Sequence, residues 1–196
     1  MAANKKTISK TSDWITVGQN YHLTVVDYPD VPNMAKYLNE ERISSQSFTI
    51  PHPYLRSDAE HFIEQTLAFE AREGMQSFWA IRASSGDLIG GIGLLFSEGV
   101  DAHSSDFGYW LAVPFWNQGI MTQVIRAFTR HVFGKNLLQR LYAKVFAGNR
   151  ASCRVLEKSG FRMIRLEKAA FQKGSRDIDA IVYEMNNEMY TAQNQQ

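Results

Sequence analysis

The chain has 196 residues, of which 44% are hydrophobic and 21% charged, with a net charge of +1 and one cysteine. That length suits a single domain with a real core. Near-zero charge gives no ground for general affinity to nucleic acid or an anionic membrane surface. The lone Cys153 excludes an internal disulfide, and no apolar run has the length of a signal peptide or a membrane span. The expectation is a cytoplasmic or nuclear protein, monomer or homodimer, with no metal site.

Residues 1–13 are polar and read as a flexible tail, as do residues 191–196; residues 14–190 read as one domain. YHLTVV, residues 21–26, is β-branched and aromatic, and predicts the first strand. A proline- and aspartate-rich turn follows. Val31, Met34, Ala35 and Leu38 then recur at helical spacing. SSQSFTIPHPY, residues 44–54, is an irregular loop rich in aromatic groups. Ser57 and Glu60 form the S-x-x-E pattern of a capping box, opening a helix that Gly74 ends. FWAIRA and LIGGIGLLF, joined by SSGD, predict a hairpin, and its glycines imply close approach to the second strand.

Residues 106–113 predict the third strand of this antiparallel run, ending at Pro114. A short turn, FWNQG, leads into a helix over residues 119–133. Strand, tight turn and helix start make an anion site, because the first turn of a helix leaves backbone N–H groups unpaired. RLYAKVFA predicts a strand parallel to the one before it. Asn149 caps a helix that Gly160 terminates. Residues 161–171 and 178–185 predict a final antiparallel pair. The fold class is α+β: a mixed, mostly antiparallel twisted sheet with a central β-α-β unit and helices on both faces.

Two segments carry a resemblance. FWNQGIMTQ, residues 115–123, resembles the acetyl-CoA pyrophosphate loop of the GNAT superfamily of N-acetyltransferases. NRASCRVLEKSGF, residues 149–161, resembles that superfamily's following motif, an asparagine that opens a helix. GYWLAVPFWNQGIMT and the upstream IPHPY are similar to the branch containing the Rim-type ribosomal-protein N-terminal acetyltransferases. The resemblance spans about residues 21–189. The loop departs from the usual pattern at Trp116, where a basic or amide residue is common, and at Met121, where a small residue is common and a large one narrows the cleft.

The resemblance implies acetyl-CoA as co-substrate. Asn117, Gln118, Gly119, Ile120, Met121 and Thr122 would present N–H groups to its pyrophosphate, with Asn149 as a further contact. Leu111, Ala112 and Val113 would offer N–H to the thioester carbonyl, and the parallel strands should part to admit the pantetheine arm. Asp106 stands where relatives place a glutamate and is the candidate base. The superfamily's tyrosine maps to Leu156, so Ser152 is the substitute donor to the thiolate, a second capping contact being its other reading. His52, Tyr54 and Glu98 are the acceptor-side residues; His52 and Glu98 are also the other candidates for the base, Glu98 having a surface turn as its plainer reading. The implied reaction is direct acetyl transfer to a primary amine, first a protein or peptide N-terminal α-amine. A small-molecule amine and a non-catalytic acyl-CoA-binding module are the alternatives.

Overall fold

A computed structural model describes residues 14–96 and 103–194. Among these, eight strands form one sheet: β1 (Ile15–Val17), β2 (Tyr21–Thr24), β3 (Phe78–Ala83), β4 (Leu88–Leu95), β5 (Ser104–Leu111), β6 (Arg140–Phe146), β7 (Arg162–Lys173) and β8 (Arg176–Asn186). The helices are α1 (Val31–Leu38), α2 (Glu41–Ser44), α3 (Arg56–Glu73), α4 (Ile120–Gly134), α5 (Arg150–Lys158) and α6 (Asn187–Asn194). The spatial order is β1-β2-β3-β4-β5-β6-β8-β7, and every neighbouring pair is antiparallel except β5 with β6. The fold is the expected mixed α+β sheet, and its single parallel pair sits at its centre.

Each face buries an apolar layer. On one, Val124, Ile125, Phe128 and Val132 recur at helical spacing on α4 and pack with Trp79, Phe107 and Leu141. Trp79 and Phe128 meet edge to face at 5.3 Å. On the other, Met34 and Leu38 of α1 and Ala59 and Ile63 of α3 cover Ala80, Leu88 and Trp110. The entry to α1 is pinned by Arg82, whose guanidinium grips both oxygens of Asp30 at 2.7 and 2.8 Å.

The glycines of β4 make room for protein. A Cβ at Gly91 would strike the Phe78 ring and lie 2.8 Å from the Trp110 indole nitrogen, and one at Gly93 would lie 2.6 Å from the Phe78 ring. Strand β1, too short to stand out in sequence, pairs with β2 through Ile15–Leu23. Helix α3 begins one residue before Ser57: the Leu55 N–H donates to Asp58 Oδ2 at 2.7 Å, while Glu60 pairs with Arg56. The capping box at Ser57 is therefore corrected. Residues 191–194, read as a frayed end, complete α6 instead, whose Tyr190 ring lies 5.3 Å from Phe133. The expected tail over residues 1–13 lies outside the described residues.

Candidate active site

Strands β5 and β6 are paired at only three positions: Ser104–Arg140, Ser105–Leu141 and Asp106–Tyr142. Beyond them β5 stays with β4 out to Leu111, and β6 stays with β8 out to Phe146. The strands part, and a gap opens in the middle of the sheet. Backbone groups alternate in direction along a strand. The Ala112 N–H donates to the Ile89 C=O at 2.8 Å, so the Leu111 N–H points the other way, into the gap. Ala112 is thus corrected as a donor, since its N–H is taken and its side chain is buried. Leu111 and Val113 remain.

The mouth of the gap is the turn that precedes α4. Phe115 N–H to Ala112 C=O (2.9 Å) and Trp116 N–H to Val113 C=O (3.1 Å) fold the chain around Pro114. The Trp116 indole N–H reaches back to the Leu111 C=O at 2.7 Å, fixing the turn to the strand. Asn117 (φ 60°) and Gly119 (φ 72°) take left-handed conformations. A Cβ at Gly119 would meet nothing within 4 Å, so the glycine is required by its backbone angle rather than by space. The first helical bond runs from Gln123 N–H to Gly119 C=O at 3.2 Å. The N–H groups of Asn117, Gln118, Gly119, Ile120, Met121 and Thr122 have no acceptor among the described residues. Left-handed residues within such a run gather these donors into a concave nest, to which the helix dipole adds positive potential. The set fits a pyrophosphate. Ile120 and Met121 contribute backbone only, because their side chains enter the core, 2% and 7% exposed. Met121 therefore does not narrow the cleft.

The second helix beside the gap ends differently. Asn149 Oδ1 accepts the Ser152 N–H at 3.0 Å, an N-cap. The Ser152 hydroxyl does not cap; it lies 2.9 Å from the Tyr109 hydroxyl on β5. Leu156 is fully buried in the core. Burial pushes the Tyr109 phenol above its ordinary pKa. Tyr109 escaped the sequence reading. Its signal was parity: in FGYWL it shares a face with Phe107 and Leu111 and is the one polar-tipped member of that face. Arg126, on α4, donates to the Lys158 C=O at 2.6 Å and so closes the far end of α5.

Asp106 faces the opposite side of the sheet, at the point where the strands separate. Burial raises its pKa first and the Glu167 carboxylate adds to this, whereas Lys144 and Arg165 pull it down. Glu167 itself pairs with Lys144 (3.3 Å) and Arg165 (2.7 Å). At about 3.3 Å per residue, Asp106 stands roughly 16 Å along β5 from Leu111. That separation rules out direct contact between the Asp106 carboxylate and a group held at the Leu111 N–H. On the same side, Phe171 lies 4.9 Å from Phe48 and 5.3 Å from Phe146. Lys173 donates to the Ser44 and Ser47 carbonyls and ties the β7–β8 hairpin to the 44–54 loop. His52 is exposed in that loop. Tyr54 is corrected: its ring belongs to the α1–α3 core and its hydroxyl is pushed up to about 12, first by burial and then by Asp58. Glu98 lies outside the described residues. Among those residues no group of three His, Cys, Asp or Glu side chains could hold a metal, and no helix is long and apolar enough to cross a membrane.

A sheet whose central parallel pair parts beneath an uncapped helix end is the architecture of an acyl-CoA-dependent transferase. Residues 22–162 match the acetyltransferase (GNAT) domain family. The chain belongs to that family and is an acetyl-CoA-dependent acetyltransferase. Among solved structures it is similar to a GNAT acetyltransferase from Bacillus anthracis, at 18% identity and TM-score 0.78, covering 89% of this chain and 99% of that one. It is similar to RimL, the ribosomal L7/L12 α-N-protein acetyltransferase, in complex with coenzyme A, at 19% identity and TM-score 0.80, covering 90% of this chain and 99% of that one. The probable N-acetyltransferase YjcK of Bacillus subtilis is 34% identical over 84 residues, 43% of this chain and under half of that protein's length at 46%.

Proposed function

We propose that the protein transfers the acetyl group of acetyl-CoA directly to the N-terminal α-amine of a protein or peptide. The observation that carries this reading is the parting of β5 from β6 beyond the Asp106–Tyr142 pair, with candidate groups on either face of the sheet. The anion nest and the Ser152 hydroxyl belong to one face, and Asp106 belongs to the other. Donor and acceptor can then meet without an acyl-enzyme. Leu111 N–H holds the thioester oxygen as negative charge develops there. Ser152 donates a hydrogen bond to the departing sulfur. Asp106 receives the amine proton through water.

The remoteness of Asp106 bears on the acceptor. An α-amine has a pKa near 8, against about 10.4 for a lysine side chain. At pH 7 on the order of a tenth of α-amines are neutral, but well under a thousandth of alkyl amines. A base that works only through water suffices for the first and serves the second poorly. The name of RimL, an α-N-protein acetyltransferase, agrees with that choice.

Thiol release from acetyl-CoA with unblocked peptides, N-terminally blocked lysine peptides and polyamines tests the reading. The expected result is turnover confined largely to free N-termini, with the mass gain on the α-nitrogen. Faster turnover of polyamines would make the acceptor a small molecule. Tight CoA binding without turnover on any acceptor would make the protein a binding module.

A further inference from the structure

The reactive end of the cofactor arm has one place to lie. The gap is open along residues 107–111 of β5 and closes where Asp106 pairs with Tyr142. An arm entering from the nest before α4 must stop short of that closure. Tyr109 stands two residues along β5 from Leu111, roughly 7 Å nearer the closure at Asp106. Its hydroxyl is 2.9 Å from Ser152 Oγ and 3.4 Å from the Ser152 C=O, so the contact bridges β5 and α5 across the gap.

We propose that Tyr109 is a positioning residue for the leaving thiolate: it donates its hydroxyl proton to Ser152 Oγ, which turns the Ser152 O–H toward the sulfur. This rests on the acetyl-transfer reading above. The superfamily tyrosine expected on α5 is replaced by buried Leu156, and a tyrosine from the neighbouring strand supports the serine that takes over. The contact is not needed to hold α5 in place. That helix is already anchored by Tyr183 donating to Glu157 at 2.9 Å and by Arg126 on the Lys158 C=O.

The pair acts by hydrogen bonding rather than by giving up a proton. A thiolate is the base of a group with pKa about 8.5, and a phenol ionises near 10. Burial pushes Tyr109 higher still. Proton transfer from tyrosine to sulfur is therefore uphill. In the balanced reaction the amine nitrogen bonds to the acetyl carbon and the carbon–sulfur bond breaks. The amine proton leaves by water on the Asp106 side, and the thiolate takes a proton from water after release. Both hydroxyls keep theirs.

The test measures Tyr109→Phe, Ser152→Ala and the double variant in two ways. One is kcat with the best peptide acceptor. The other is the pKa of the thiol of bound coenzyme A, followed by thiolate absorbance against the complex with desulfo-coenzyme A. Each single variant should lower kcat roughly tenfold and raise the bound thiol pKa by about one unit, the scale of one hydrogen bond to a charged atom. The double variant should be no worse than Ser152→Ala, because the two hydroxyls act in series. Coenzyme A affinity and Tm should stay at the wild-type values. Equal thiol pKa values in all four proteins would overturn the proposal, as would losses that multiply, or losses matched by weaker binding and lower Tm. A shifted thiol pKa with no turnover on any amine, wild type included, would keep the thiolate contact and remove the acetyl-transfer reading.

Discussion

Two helices begin at the same gap, and their first turns are treated in opposite ways. At α5, Asn149 fills the N-cap and accepts the Ser152 N–H. At α4 the N-cap is Gly119, which has no side chain to offer, and the donors from Asn117 to Thr122 are left open. A glycine at the N-cap costs a helix a few tenths of a kcal/mol relative to a good side-chain cap. The α4 end bears that cost where the proposed pyrophosphate site lies; the α5 end avoids it beside the hydroxyl proposed to meet the sulfur. A helix end is a binding site or a fixed support according to one residue.

The largest effect should come from making the α4 end resemble the α5 end. Gly119→Asp keeps a residue type that tolerates a left-handed angle and supplies its own carboxylate to the open N–H groups. Coenzyme A affinity should fall at least about a hundredfold through lost donors and like-charge repulsion. Tm should fall by no more than a few degrees, since aspartate tolerates the left-handed angle at this position less well than glycine does. Calorimetric titration with coenzyme A and a thermal melt check both halves. Retained affinity would remove the nest from the site.

The converse change is smaller. Asn149→Ala opens the α5 end by removing the acceptor of the Ser152 N–H. The expected loss is about 1 kcal/mol of stability, a fall in Tm of about 2–4 °C for a chain of this length. Coenzyme A affinity should change far less than in Gly119→Asp. A larger loss of affinity than of stability would make Asn149 a direct cofactor contact as well as a cap.

These two ends also divide what could be read from the sequence. The nest was legible because it needs only a strand, a turn and a helix start, signalled locally by Pro114 and Gly119. The α5 cap was legible from Asn149 and Gly160. The Tyr109–Ser152 contact was not, since it joins residues 43 apart through a tertiary approach. Local patterns also misplaced Ser57 and Tyr54. Asp58 out-competed Ser57 for the cap by accepting a backbone N–H one turn earlier. Tyr54, read as an acceptor-side residue, is drawn into the α1–α3 core. Where a backbone group decides the role, sequence suffices; where packing decides which way a side chain turns, it does not.

The asymmetry continues through the sheet, with donors on the α4–α5 side and Asp106 on the other, and Asp106→Asn tests whether that carboxylate is a proton acceptor or an ion-pair anchor. Burial raises its pKa in the folded chain above the unfolded value, against the pull of Lys144 and Arg165. A raised carboxyl pKa means the folded state holds the proton more tightly. Its contribution to stability is complete below the ordinary aspartate range and is lost as pH rises through the folded value. The Asn variant, which cannot titrate, should therefore match the wild type at the acid end and melt slightly higher at pH 7. Turnover should fall, and its acid limb should lose the component set by Asp106, leaving that of the amine. Melts and kcat/KM across pH 4–9 check both signs. If Asp106→Asn instead melts lower at pH 7 and keeps the wild-type pH profile, attraction to Lys144 and Arg165 outweighs burial. Asp106 then holds β5, β6 and β7 together, and the amine proton leaves by another route.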